Sequence, residues 1–194
     1  FNRECPAGTV PLVAGGDIGG EHDLVTDRAV GDRQWQRCFV AERVGVPVRE
    51  ARFSVLCAEA PGAEVLRIEV TEGAGADRLT TVRADCPEGF RAVHGGGAWP
   101  RNWQVLSRVM DGPRFEITGQ GASGEVTAQV ICVAGIPAPV VVRDEIELAP
   151  GGQCGGVDCP EGHRAIGGGA ILDRPLDLEV FGLNNFGFNV CGVN

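Results

Sequence analysis

Apolar and polar residues alternate along most of this chain with a period of two. In "RFSVLC" the apolar phase holds Phe53, Val55 and Cys57, and in "VTAQVIC" it holds Val126, Ala128, Val130 and Cys132. "EVLRIEV" repeats the pattern through Leu66, Ile68 and Val70, and "DEIELA" through Ile146 and Leu148. Shorter alternations start at Trp103 with Val105, and at Leu176 with Leu178 and Val180. Successive side chains of a strand point to opposite faces, so this period predicts strands with one buried face. In "FGFNVC" Cys191 is out of phase with Phe186, Phe188 and Val190, which predicts a bulge or other irregular geometry there. Helical periodicity is missing: "DRAVGDRQWQRC" comes nearest, and its glycine and scattered apolar residues break it. The expected class is all-β.

The strands recur in units. "CPEGFRAVHGGGA" from Cys86 and the stretch opening "CPEGHRAIGGGA" from Cys159 share eight of thirteen positions without a gap, and a fainter copy, "CPAGTVPLVAGGD", starts at Cys5. Glycine stands ten residues after the leading cysteine in all three copies, at Gly15, Gly96 and Gly169. Each copy leads on to a strand-like run ending in a further cysteine, at Cys57, Cys132 and Cys191. These units, about 1–70, 71–149 and 150–194, form one domain spanning 1–194. Each is too small to bury its own sheet face, so the three must share a core. A three-fold β-prism meets that requirement; a three-lobed barrel or an elongated sandwich also meets it. The glycines are expected to supply positive φ, bulges and tight turns where strands cross at a corner.

Eight cysteines in an acidic chain of 194 residues point to a disulfide framework and an oxidising, extracellular setting. Equivalence of the units pairs Cys5 with Cys57, Cys86 with Cys132 and Cys159 with Cys191, leaving Cys38 and Cys154 to tie the first unit to the third. The competing use is metal binding by Cys154, Cys159 and His163, but neither closely spaced cysteines nor a second matching half is present. The start at Phe1 fits a mature secreted chain whose leader has been removed. A net charge of −9, with arginine as the sole strongly basic residue type, argues against nucleic-acid partners. No apolar run is long enough to insert in a membrane as a helix, the richest being "AGIPAPVVV" from Ala134.

Candidate chemistry is sparse. "HGGG" at His94–Gly97 is similar to an oxyanion-hole element, yet no Gly-x-Ser-x-Gly elbow accompanies it. Asp17, Glu21 and Asp23 in "GDIGGEHD" are weak calcium candidates, outside any EF-hand spacing. Of the three tryptophans, Trp35 and Trp103 open alternating strands and read as core. Trp99, beside Pro100, reads as a loop residue and is the candidate sugar platform, with Asn184 and Asn185 as amide partners for hydroxyl groups.

The third unit, "CPEGHRAIGGGAILDRPLDLEVFGLNNFGFNVC", resembles a unit of the vitelline membrane outer layer protein I family in its leading Cys-Pro-x-Gly, its Leu183-Asn184-Asn185 turn and its closing cysteine. All three units also resemble the cysteine-framed "CPAG…GGG" repeats of secreted bacterial proteins. The first resemblance implies a disulfide-stabilised β-prism in an extracellular coat, with lectin-like geometry. The expected role is non-catalytic and cofactor-free: a structural or accessory part of an extracellular or cell-surface assembly, its partners being protein subunits or further copies. The alternative is a carbohydrate-binding module, and a hydrolase is more distant still.

Overall fold

Fifteen strands account for the regular structure of the described residues, with no helix among them. They are β1 (Asn2–Glu4), β2 (Thr9–Ile18), β3 (His22–Val30), β4 (Gln34–Ala41), β5 (Ala51–Glu59), β6 (Val65–Ala74), β7 (Thr80–Asp85), β8 (Phe90–Ala98), β9 (Trp103–Asp111), β10 (Arg114–Gly121), β11 (Gly124–Ala134), β12 (Gln153–Asp158), β13 (Ala170–Ile171), β14 (Asp177–Leu183) and β15 (Gly187–Val193). The computed structural model describes the chain except residues 1, 8, 19–21, 31–33, 42–50, 60–63, 138, 144, 146–152, 164–169, 172–176, 184–186 and 194, and in several strands only the backbone. The run "DEIELA" lies mostly outside the described residues.

The strands form three antiparallel sheets, ordered β1-β4-β3-β8-β11-β6, β13-β9-β10-β7 and β12-β15-β14-β2-β5. Alternation explains the four-stranded sheet directly. Val82 and Ala84 of β7 pair with Ile117 and Phe115 of β10 and point inward. The residues between them face out: Arg83 meets Glu116 at 2.6 Å, Arg114 meets Asp85 at 2.7 Å, and the Thr81 and Thr118 hydroxyls meet at 2.9 Å. Exposed pairs of this kind specify register more than they stabilise.

β11 departs from the one-sided expectation. Val126, Ala128, Val130 and Cys132 join the main core with Phe115, Ile117, Trp99 and Trp103, while Ile131 and Val133 enter a second cluster with Ala29 and Val93. Both faces are covered, the first by the second unit's own strands and the other by residues that include Ala29 of the first unit.

Each repeated phrase makes the same local structure. The carbonyl of the proline accepts from the amide three residues on in every copy: Pro6 from Thr9, Pro87 from Phe90, Pro160 from His163. In the last two copies the glycine takes φ of +87° at Gly89 and +80° at Gly162, the left-handed conformation that the third position of such a turn requires. A strand follows, bearing glycines in β2 and β8 and described only as β13 in the third unit, then a hairpin: β3–β4 in the first unit, β9–β10 in the second and β14–β15 in the third.

Each of the strands β2, β8 and β13 pairs with another unit's hairpin. Gly97 and Ala98 pair with Asp27 and Thr26, Ala170 and Ile171 with Arg108 and Ser107, and Gly16 and Asp17 with Phe181 and Val180. Counted from the leading cysteines, every one of these seams joins positions 11 and 12 of one unit to positions 22 and 21 of another. The bulges repeat too. Position 20 is the extra residue in all three hairpins (Val25, Leu106, Glu179), and position 7 is extra where β2 and β8 meet β5 and β11 (Leu12, Val93). The irregularity expected at Cys191 therefore lies across the ladder from it, at Glu179. The unit boundary expected near residue 70 falls inside β6, which pairs with β11.

Two expected disulfides are present, Cys5–Cys57 and Cys86–Cys132, with Cα atoms 5.7 and 5.6 Å apart. Cys159 instead has a free thiol, which corrects the expected bridge to Cys191. The reason is topological. β15 is the second strand of a hairpin, the counterpart of β4, and Cys191 stands opposite position 21 of its unit as Cys38 does in the first. The backbone register sets Cys154 opposite Cys191, while Cys38 belongs to another sheet. The side chains of Cys38, Cys154 and Cys191 lie outside the described residues.

One polar side chain holds the seam between the first two units. Gln129 of β11 is fully buried and stands opposite Gly96 of β8 in the ladder. Its Oε1 accepts from the Ala29 amide at 2.7 Å, and its Nε2 donates to the Ala29 carbonyl at 2.9 Å and to Glu69 at 2.6 Å. The β3–β8 pairing covers Thr26 and Asp27, and the side-chain amide extends it by standing in for a peptide group.

Replacing Gln129 with Leu leaves both backbone groups of Ala29 buried without these partners. It should lower unfolding stability by about 2 to 4 kcal/mol in a urea titration; an unchanged midpoint would contradict the assigned role. Removing the second disulfide as Cys86→Ala/Cys132→Ala frees a closed loop of 46 residues and should lower stability by about 4 kcal/mol in the same assay.

Candidate functional site

The stretch with the most chemical promise runs from His94 to Trp103, and packing accounts for most of it. The His94, Gly95, Gly96 and Gly97 backbones run in register with Ile131, Val130, Gln129 and Ala128 of β11, as one strand of a ladder. These glycines are not among the residues with positive φ, which corrects the expectation of turns and corners for this stretch. They permit close approach instead. A Cβ on Gly95 would lie within the Phe115 ring, and one on Gly97 would strike the Thr127 carbonyl. His94 is 4% exposed, inside the protein.

Trp99 follows the glycines but is not the exposed platform expected of it: 7% of its surface is accessible. Its ring centroid is 6.4 Å from that of Trp103, the planes tilted by 43°. Arg108 covers it, with the guanidinium carbon 5.9 Å from the ring centroid. Arg108 is itself buried and donates from Nη2 to the Gly95 carbonyl at 3.4 Å. A desolvated cation over an indole face is a favourable arrangement. The turn that places Trp103 closes through its amide to the Pro100 carbonyl at 3.2 Å, with Asn102 at φ +63°. Trp103 is core, as its place at the start of an alternating strand predicts.

One open depression, of about 440 Å³, borders this cluster and is lined by Arg28, Ala98, Trp99, Pro100, Gly124, Glu125 and Thr127. Arg28 comes from β3 of the first unit and the rest from the second, so the depression lies along their seam. Arg28 lies 4.0 Å from Glu69, the carboxylate that Gln129 also contacts. The Thr127 hydroxyl is 2.8 Å from that of Thr71. A cation, an exposed carboxylate and the edge of an indole make a surface that hydroxyl-rich ligands can contact.

The other candidates do not gather here. Glu21, Asn184 and Asn185 lie outside the described residues. Asp17 and Asp23 are in β2 and β3, strands of different sheets, and their side chains are not described; nor is that of Trp35, whose backbone pairs with Ala29. His163 is exposed, its Nδ1 3.2 Å from the Glu161 carbonyl, and Cys159 is half-buried. Among the described residues no three His, Cys, Asp or Glu side chains come together as a metal site.

Sequence reasoning missed Arg28, Arg108 and Gln129. For Gln129 a signal exists: "VTAQVICVA" is close to a continuous apolar run, the pattern of a strand covered on both faces. The two arginines carry no such mark.

No protein-family model matches the chain, and no curated protein matches it in sequence.

The Gly95→Ala substitution should lower stability by about 1 to 3 kcal/mol through overlap with Phe115. Combined with Phe115→Ala it should cost less than the two single effects added, as a double-mutant cycle would read; strict additivity would show that the ring does not set the need for glycine.

Proposed function

We propose that the three units close into a three-fold β-prism that serves, without catalysis, as a structural or accessory component of an extracellular or cell-surface assembly. The observation that carries this reading is the common register of the seams, positions 11 and 12 against 22 and 21 in all three. A prism asks for that: three equivalent sheets, each built from two units, around a shared core.

The role follows from how the distinctive residues are used. The glycine stretch lets β8 lie under Phe115 and Thr127, Trp99 stacks with Trp103 and Arg108, and two disulfides staple leading to closing strands. Each supports rigidity. The bridges fit an oxidising environment, in keeping with a secreted protein. Val140, Val141 and Val142 are 60%, 53% and 41% exposed in succession, an apolar strip suited to a protein partner or a second copy.

Light scattering on protein from its native source tests this. A defined particle larger than the 20.3 kDa chain is expected, and Val141→Asp should dissociate it; a monomer at all concentrations would overturn the reading.

The depression beside Trp99 favours glycan binding as the second reading. It predicts that a sugar from a glycan array changes tryptophan fluorescence on binding, and that Glu125→Gln weakens that binding by about tenfold. An array without hits would remove it.

A further inference from the structure

We propose that residues 139–143, between β11 and β12, are a cleavage site for an elastase-type serine endoprotease, one whose small apolar pocket accepts valine, and that the bond cut is Val140–Val141. The inference does not rest on the three-fold arrangement or on the assembly proposed above.

The stretch stands between two anchors. Ile136 is half-buried and packs against the second core cluster, with Ala29, Val93, Ile131 and Val133. Arg143 donates from Nη2 to Asp111 Oδ1 at 3.3 Å, at the end of β9. Between these anchors Pro137, Pro139, Val140, Val141 and Val142 are all exposed, and residues 139–143 belong to no strand. An exposed connection of this kind is where an endoprotease finds backbone it can reach in a folded chain.

Such an enzyme holds its substrate as an added strand, through main-chain hydrogen bonds, and takes one side chain into a pocket. Backbone already committed to a ladder cannot pair in that way. This separates the valines from the other large apolar side chains at the surface. Ile171 is 75% exposed but belongs to β13 and pairs with Ser107 of β9. Leu79 is 58% exposed but lies between β7 and the turn in which the Arg78 amide donates to the Gly75 carbonyl. Among the described residues, only at 140–142 do three exposed apolar side chains follow one another on backbone outside the strands.

Two features choose the bond. Exposure falls from 60% at Val140 to 53% at Val141 and 41% at Val142, towards the anchored Arg143, so Val140 is the side chain freest to enter a pocket. Pro139 precedes it, with φ fixed by its ring at about −65° and no amide hydrogen to lose, which lowers the ordering cost of binding. In the reaction the enzyme's serine oxygen attacks the Val140 carbonyl carbon, the C–N bond to Val141 breaks, and the Val141 nitrogen takes the serine proton. One water then cleaves the ester, its hydroxyl going to Val140 and its other proton returning to the serine. Both described disulfides lie before the cut, while the pairings of β14 with β2 and of β13 with β9 span it. The cut is therefore read under denaturing, reducing conditions.

The test is limited proteolysis of the folded chain with a trace of a pancreatic-type elastase, stopped at intervals and weighed by mass spectrometry. The first products are expected to be residues 1–140 and 141–194. A first cut at another bond, or a chain left intact until it is heated through its unfolding transition, would overturn the proposal. Val140→Asp changes an exposed side chain and should leave the melting temperature unaltered. It should slow cleavage of this bond by about tenfold or more, because an acidic group enters an apolar pocket poorly; an unslowed cut would overturn the assignment of Val140. The same enzyme applied to protein from its native source separates this inference from the assembly reading. Cleavage of the isolated chain with resistance of the larger particle supports both. Equal cleavage of the two defeats the docking role of the valine strip alone. An isolated chain that resists, while Val141→Asp still dissociates the particle, defeats the cleavage site alone.

Discussion

The second unit's sheet continues into the first through a side-chain amide. Gln129, opposite Gly96 of β8, satisfies the two backbone groups of Ala29 with the two polar ends of its side chain. An apolar residue at 129 would leave both backbone groups of Ala29 without these partners. The rest of the arrangement leans on this kind of local agreement. A seam of two paired residues is too short to specify itself, so the bulges at positions 7 and 20 and the turn after each leading cysteine must bring the strands to the seam already aligned.

The same economy governs the glycine stretch. In isolation "HGGG" invites a chemical reading, since glycine amides are well suited to stabilise a developing negative charge. In the fold those backbones belong to a ladder, and what the glycines at 95 and 97 omit is space that Phe115 and Thr127 occupy. Trp99 underwent a similar change of meaning, from loop platform to one layer of a stack with Trp103 and Arg108. Both stretches serve the packing of the interior.

Much of the architecture was legible in the sequence because it is written in short-range patterns. Alternation identified β5, β6 and β11, and the Cys-Pro-x-Gly phrase marked one turn made three times. Position in the sheets was harder, since it depends on which unit pairs with which. Cys191 shows why. It ends an alternating run as Cys57 and Cys132 do, yet it lies 32 residues after its leading cysteine, close to the 33 that separate Cys5 from Cys38 and far from 46 or 52. Its broken phase was the visible sign that it belonged to a hairpin. Of the candidate site, only Trp99 was anticipated. Arg28 reaches the depression from another unit, a proximity that no local pattern encodes.

The seams also bear on how such a chain can vary in length. The leading cysteines are 81 and 73 residues apart, so the units differ by eight residues, yet positions 11, 12, 21 and 22 meet in the same way each time. The difference has therefore been accommodated outside the first 22 positions of each unit, in the connections that lead to the closing strands and onward to the next cysteine. Insertions and deletions arising in those connections leave every seam in register, whereas one residue gained between a leading cysteine and its hairpin would turn each following side chain to the opposite face. Lineages of this fold should thus diverge in length at a few connections while the stretch from turn to hairpin keeps a fixed count.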